Sequence, residues 1–268
     1  MLVNVDAKSL EWCTYLYLSQ DKVGIEEWHN VVNDPSKFDI HLDNQTKFNL
    51  PSRLIAKVFL FRWIYRGPAF AYCHDPDFMV VSKSQQYWQD VIDQYYSKYK
   101  GLYATHMKYL QEVNATGRLC SPLGREYQFK KNKRGEFSEY EITNYPNQGL
   151  GADVMAVARV SLAARFRKYK LRSLLISTIH DSLTSDSPEE EVDTVKEIMV
   201  DVFTDLPSNI KRAFGIDWNL PMLGEVSVGP NLKEAVSWEN GGWIFKQKDE
   251  ILYHGPDYKQ ALQLMLTH

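Results

Sequence analysis

Two aspartates and one four-residue stripe in this chain have the types and spacing to do chemistry. The run Leu174-Leu175-Ile176-Ser177-Thr178-Ile179 leads into His180-Asp181, and Ser182-Leu183-Thr184-Ser185-Asp186 leads away. Such runs on either side of a short polar break read as a tight β-hairpin with a histidine and a carboxylate at its tip. An aspartate there is most often a turn residue. Near the start, Leu2-Val3-Asn4-Val5-Asp6 reads as a second short strand that ends on an aspartate. Two aspartates on neighbouring strands can hold a pair of magnesium ions by a few oxygens each, with waters and phosphates as the remaining ligands. Metals about 3.5–4 Å apart stabilise both the attacking and the leaving oxygen of an in-line displacement.

The stripe is Arg53, Lys57, Phe61 and Tyr65, each four residues from the next. On a helix that spacing forms one slowly drifting line, so two cations and two aromatics share a face. Pro51 suits the first turn, and Leu54, Val58, Leu60 and Ile64 are left to pack inward. One reading is a snorkelling Arg/Lys pair beside two core aromatics. The other is a surface for a ligand that is anionic at one end and flat at the other, as a nucleoside triphosphate is.

The elements that must position these residues follow from local pattern. Ser9 to Leu18 has helical spacing, with Ser9 able to cap it. Residues 24–50 are mixed and polar and place Asp39-Ile40-His41 in a loop or short helix. Ser84 to about Asn114 is helical, interrupted at Lys100-Gly101. Its aromatic stripe, Tyr95, Tyr96, Tyr99, Leu102 and Tyr103, reads as helix packing. Residues 117–137 give turns and short strands, with Arg125 in one turn and an exposed basic loop at Lys130–Arg134. Asn144–Asp153 leads into a helix over about 151–168, whose glycines permit close backbone approach. Ser187-Pro188 followed by three glutamates opens a helix to about Phe203. Residues 222–230 read as a final strand.

Composition bounds the classes. A net charge of −3 gives no global basic signature, so nucleic acid would have to meet local cations or those of another chain. Cys13, Cys73 and Cys120 are few and far apart, which points to buried thiols in a reducing compartment rather than disulfides or zinc. No run is long and apolar enough to span a membrane, and the start lacks signal-peptide character. A cytoplasmic protein is expected, in host cytoplasm if viral.

At these residues the sequence resembles the family A DNA polymerases (the DNA polymerase I family), especially the replicative enzymes of podovirus-type phages. Val5-Asp6-Ala7-Lys8-Ser9-Leu10-Glu11 resembles the first palm motif. Asp39-Ile40-His41 with Arg53, Lys57, Phe61 and Tyr65 resembles the fingers motif, and the short gap between His41 and Arg53 is like that of the phage enzymes. Asn144–Asp153 resembles the Gln-Gly helix, His180-Asp181 the second catalytic motif, and Gly229-Pro230-Asn231 the closing strand. The resemblance implies an α+β fold: a polymerase palm, with an antiparallel sheet and helices, plus helical fingers, lacking thumb and exonuclease. The implied domains are palm at 1–24, fingers at 25–115, palm again at 116–235, and a C-terminal appendage at 236–268.

It also implies roles. Asp6 and Asp181, assisted by the Ala7 carbonyl, would hold two magnesium ions. Glu11 would close the sugar pocket against a 2′-hydroxyl. His41, Arg53 and Lys57 would grip the dNTP triphosphate, with Lys57 protonating the leaving pyrophosphate. Phe61 would lie against the sugar and Tyr65 at the templating position. Gln148, His180 and Arg125 would contact primer–template DNA. Implied partners are primer–template DNA, dNTPs, a separate chain carrying thumb and 3′–5′ exonuclease, and other replisome proteins, with no membrane. The sequence departs from the family pattern at Ser182, where glutamate is common, at Arg66, where glycine is usual, and at Tyr140, where arginine is common. Those departures keep open a catalytically inactive palm-and-fingers homologue acting as DNA-binding or replisome scaffold. A two-metal nuclease would share the paired carboxylates but has no use for the Arg53–Tyr65 stripe.

Overall fold

The computed structural model describes residues 1–34, 38–247 and 250–267. In chain order these form β1 (Leu2–Ala7), α1 (Leu10–Ser19), α2 (Lys22–Asn33), α3 (Ile40–Lys47), α4 (Arg53–Ile64), α5 (Ala69–His74), α6 (Pro76–Met79), α7 (Gln85–Lys98) and α8 (Lys100–Thr116). There follow β2 (Arg118–Cys120), β3 (Glu126–Gln128), α9 (Glu139–Lys168), β4 (Leu174–Ile179), β5 (Ser182–Asp186), α10 (Val192–Thr204), α11 (Leu206–Phe214), β6 (Gly224–Gly229), β7 (Val236–Glu239), β8 (Gly242–Gln247), β9 (Glu250–Gly255) and α12 (Tyr258–Thr267). The chain divides into two compact units, one made of 1–10 and 152–268, the other of 11–151. No helix among the described residues is long and apolar enough to cross a membrane.

The first unit is built on a seven-stranded sheet in the order β4-β5-β1-β6-β7-β8-β9, antiparallel throughout. Alternation along β1 buries Val3, Val5 and Ala7 on one face and turns Asn4 and Asp6 to the other. The buried face packs on α10, whose Val195, Met199, Val202 and Phe203 are all enclosed. Gly224 allows that approach: a Cβ there would stand 2.7 Å from Val5 and 2.8 Å from Phe203. The expected appendage is a continuation of the same sheet, with α12 burying Tyr258 and Leu262. The Lys196 ammonium lies 3.6 Å from the ring centre of Trp238 on β7, a cation–π contact that helps hold the added strand to α10.

The second unit is helical and rests on an aromatic core. Phe59, Trp63, Tyr72, Trp88, Tyr95 and Tyr99 are fully enclosed, with Phe59 4.7 Å from both Tyr72 and Tyr95, centre to centre. Each such pair adds about 0.5–1.5 kcal/mol beyond its buried area. The α7–α8 interruption falls at Tyr99. One ion cluster is sunk into this core. The Lys98 side chain, 3 % exposed, meets Glu27 at 2.7 Å and Asp43 at 3.0 Å. It also donates to Asn44 Oδ1 at 2.6 Å, while the Tyr99 hydroxyl donates to Glu27 at 2.8 Å. These bonds tie α2, α3 and α7 together.

Several local expectations are corrected. Ser9 adopts φ +51°, not the extended backbone of a cap. Pro51 lies outside α4, which Ser52 caps through a bond from Ile55 N–H. Leu54 and Val58 are 66 % and 37 % exposed, because the core arc of α4 is Ala56, Phe59, Leu60, Trp63 and Ile64, at i, i+3, i+4, i+7 and i+8. The helix expected from about 151 begins at Glu139 and carries Pro146 inside it. Proline reads as a stop signal in sequence, but α9 continues through it. The glycine there still marks a close approach: a Cβ on Gly149 would press on the Tyr127 ring. Glu189–Glu191 form a 3-10 turn ahead of α10 rather than its first turn. Cys13 and Cys73 are buried, but Cys120 is exposed, since β2 is a short strand with only Leu119 turned inward.

Removing one partner of a buried ion pair leaves the other uncompensated, at a cost of about 3–5 kcal/mol. Lys98→Met should therefore lower the urea-unfolding free energy by roughly that amount. Lys98→Met with Glu27→Gln should recover part of it.

Candidate functional site

The first unit brings Asp6, Ala7 and Asp181 together. β4 and β5 pair up to Ile179 and Ser182, leaving His180 and Asp181 as the two-residue tip. His180 takes φ +51°, as a tight two-residue turn requires, and its side chain is exposed. The tip is fastened to β1: the Ala7 N–H donates to the Asp181 carbonyl at 2.8 Å. Asp6 stands opposite Ser182 on β5 and opposite Glu225 on β6. Directly opposite residues share a face, so one row across three strands reads Ser182, Asp6, Glu225.

The electrostatics of that row favour a cation. The Asp6 carboxyl is held above its ordinary value by burial first, then by the charge of Asp181, with Glu225 adding to the push. Asn4 opposes this by donating Nδ2–H to Asp6 Oδ2 at 2.8 Å. The Thr184 hydroxyl in turn donates to Asn4 Oδ1 at 2.8 Å, which fixes the amide. Lys8 offsets Glu225 at 2.9 Å. A carboxylate whose ionisation is disfavoured by burial and by a neighbouring carboxylate belongs to a donor set that a divalent cation would relieve. Ser182 contributes no charge; its hydroxyl donates to the Ile179 carbonyl at 2.9 Å. No cluster of three or more His, Cys, Asp or Glu able to hold a metal occurs among the described residues.

In the second unit, α3 carries His41, and α4 carries Arg53, Lys57 and Phe61. Asp39 caps α3, its Oδ1 accepting from the His41 and Leu42 amides at 2.8 and 3.0 Å. Its Oδ2 accepts from Arg53 Nε at 2.7 Å and lies 2.7 Å from Nη2. Burial works to raise the Asp39 carboxyl, but Arg53 and the two amides outweigh it and hold it below its ordinary value. Arg53 and Lys57 are exposed on α4, and Phe61 is half-buried. The His41 ring lies 6.2 Å from that of Phe61 and is 8 % exposed. Its Nδ1 is buried with no hydrogen-bond partner. Burial, reinforced by Arg53 and Lys57 against Asp39, lowers its pKa to about 4. The imidazole is therefore neutral near pH 7, with a polar atom left to satisfy.

Tyr65 falls just past the end of α4 as its C-terminal cap residue. Its hydroxyl is buried without a partner in hydrogen-bonding geometry. Burial, then Glu11, push the phenol up, while Asn147 and Gln148 pull it back, which places Glu11 and Gln148 beside it. Sequence reasoning missed the brace behind this group. Asn147 Nδ2–H donates to the Glu11 carbonyl at 3.2 Å, and the Thr14 hydroxyl to Asn147 Oδ1 at 2.5 Å. The Tyr15 hydroxyl donates to the Thr143 carbonyl at 2.6 Å, with His106 Nε2 3.0 Å away. Asn147 precedes Gln148 directly, and Thr14 lies one helical turn after Glu11, so both were within reach of a periodicity argument. Asn4, two positions before Asp6 on the same strand face, was too. Arg66 holds φ +55° and pairs with Glu139 at 2.7 Å. Arg66 and Tyr140 line one cavity of about 310 Å³, together with Trp63, Phe70 and Tyr96. Arg125 belongs to the turn between β2 and β3, where its amide donates to Ser121 Oγ at 3.1 Å.

The family model described as DNA polymerase family A matches residues 18–234. DNA polymerase I of Treponema pallidum is 27 % identical over 212 residues, covering 74 % of this chain and 20 % of that protein. DNA polymerase I of Borreliella burgdorferi is 24 % identical over 247 residues, covering 87 % and 25 % respectively. The chain thus spans about a fifth to a quarter of these relatives. Among solved structures, the POL domain of Pol1 from M. smegmatis, in complex with a DNA primer-template and dNTP, matches with a TM-score of 0.69 at 19 % identity. That match covers 85 % of this chain and 39 % of the other; at this identity it is a likeness of fold.

The state of His41 sets a pH dependence. Its folded pKa, about 4, lies below the ordinary value of 6.5. The unfolded chain therefore takes up a proton first, so stability is fully present above about pH 6.5 and is lost as pH falls toward 4. His41→Phe should remove a share on the order of 1–3 kcal/mol of the loss between pH 7 and pH 4. Urea midpoints of both proteins at pH 7, 5.5 and 4 measure that share.

Proposed function

The chain belongs to DNA polymerase family A, and on that footing we propose that it adds deoxynucleotides to a primer 3′ end by two-metal nucleotidyl transfer. The observation that carries the reading is the fastening of the His180-Asp181 tip to β1 beside Asp6, with the two carboxylates repelling each other. Asp6, Asp181 and the Ala7 carbonyl would hold the magnesium ions. Bound there, the ions would supply Lewis-acid stabilisation of charge on the reacting oxygens. The chain's own residues do the rest. Arg53, Lys57 and neutral His41 would bind the triphosphate, Lys57 giving its proton to the leaving pyrophosphate. Phe61 would lie against the sugar, Glu11 would crowd a 2′-hydroxyl, and Tyr65 would stand at the templating position. Gln148, His180 and Arg125 would contact primer–template DNA. In this reading 25–115 act as fingers, with 1–24 and 116–235 as palm.

The finer proposal is that this is the palm-and-fingers part of a split, podovirus-type phage enzyme. A separate chain would then supply thumb and 3′–5′ exonuclease, within a replisome in the cytoplasm of a host cell. Two observations support it. The gap between His41 and Arg53 is short. The outer strand of the sheet, β4, exposes Leu174, Ile176 and Ile179 at 64 %, 54 % and 49 %, an apolar edge of the kind another polypeptide covers. A second reading, an inactive DNA-binding or replisome scaffold, is favoured by Ser182, whose hydroxyl is turned onto the hairpin.

Primer extension with each dNTP separates these readings. The wild type should extend in a template-directed way. Asp181→Asn should lose about 100-fold or more in rate, the scale of a missing charge-stabilising group, while keeping its affinity for primer–template in a gel shift. Extension in neither protein supports the scaffold, and degradation without extension supports a nuclease. Processive extension by this chain alone contradicts the split arrangement.

A further inference from the structure

We infer that Asp39 is an internal competitor for the triphosphate site: it holds Arg53 when no nucleotide is bound and must be displaced by the incoming anion. This rests on the reading of Arg53 as a triphosphate ligand. Arginine binds phosphate best through two parallel N–H bonds along one edge of its planar fork. Asp39 Oδ2 sits at 2.7 Å from both Nε and Nη2, so it occupies that side edge. An anion that meets Arg53 in this state reaches only the end of the fork, and gains the side edge by taking it from Asp39.

The pair is suited to exchange. Arg53 is 54 % exposed and Asp39 33 %, which places the bond in the range where ion pairs are weak and screened. A polyphosphate carries several charges against one and wins the contest. Asp39 is not left orphaned when Arg53 departs, because its other oxygen stays bound to the His41 and Leu42 amides at the start of α3. The carboxylate therefore has a permanent job as helix cap and a reversible one as counter-anion. The same competition acts when pyrophosphate leaves: Asp39 takes Arg53 back and eases product release.

The test uses the full chain and isothermal titration with tripolyphosphate and with pyrophosphate. Asparagine caps helices about as well as aspartate, so Asp39→Asn keeps the cap and removes the charge. It should bind both probes about two- to fivefold more tightly, the range an exposed ion pair covers. Arg53→Ala should weaken tripolyphosphate binding. Adding Asp39→Asn to Arg53→Ala should restore only a minor part of the gain, since the rest acts through Arg53. Circular-dichroism melts confirm folding, and Asp39→Ser, another capping residue, stands in if the asparagine variant is unstable. Unchanged or weaker binding by Asp39→Asn, with Arg53→Ala still weakened, overturns the competition and leaves the grip in place. Unchanged binding by Arg53→Ala overturns the grip and the competition with it. In steady-state extension, competition predicts a lower KM and a lower kcat for Asp39→Asn; a higher KM with unchanged kcat would mark Asp39 as a support for Arg53 instead.

Discussion

The carboxylates of Asp6, on β1, and Asp181, at the hairpin tip beside it, repel each other, and the sheet of the first unit pays for keeping them there. The bond from the Ala7 amide to the Asp181 carbonyl fixes the hairpin tip against β1. The central place of β1, with β5 on one side and β6 on the other, denies Asp6 any retreat. The same alternation that buries Val3, Val5 and Ala7 drives Asn4 and Asp6 onto the polar face. A cation bound between them would lower this cost. Asn4 moderates the cost through a chain of hydrogen bonds from Thr184, and so acts as the local support of Asp6.

The second unit solves a different problem, which is to hold the cationic side chains Arg53 and Lys57 exposed on a helix. Its aromatic core gives α4 a rigid inner arc, and the opposite side is then free to carry Arg53 and Lys57. The buried cluster around Lys98 fixes α3 against α2 and α7, and α3 carries His41. Burial keeps that imidazole neutral and leaves Nδ1 unsatisfied.

Much of this was legible in the sequence, and the failures have physical causes. The hairpin, the strand ending on Asp6 and the four-residue stripe are local patterns of period 2 and 3.6, and local patterns read well. The strand expected at 222–230 is β6 at 224–229, while the break expected at Lys100-Gly101 falls one residue earlier, at Tyr99, with both of those residues inside α8. Leu54 and Val58 misled because two apolar residues on a helix do not say which arc faces the core; Phe59 and Trp63, the heavier pair, decide it. Pro146 hid the first turns of α9, since proline is a reliable stop only in the absence of tertiary packing. Asp39 read as part of a loop or short helix, and its bond to Arg53, fourteen positions on, has no local signature. The continuation of the sheet through β7, β8 and β9 depends on pairing between β6 and β7, which hydropathy cannot assign to one sheet rather than another.

The central claim is that Asp6 and Asp181 form one cation site. Titrating Mn2+ into the chain in the presence of a deoxynucleoside triphosphate, with free ion counted by electron paramagnetic resonance, tests it without any requirement for catalysis. The account predicts saturable binding by the wild type that weakens at least about tenfold in both Asp6→Asn and Asp181→Asn, each of which removes one anionic ligand. Mn2+ binding that is the same in the wild type and in both variants would contradict it.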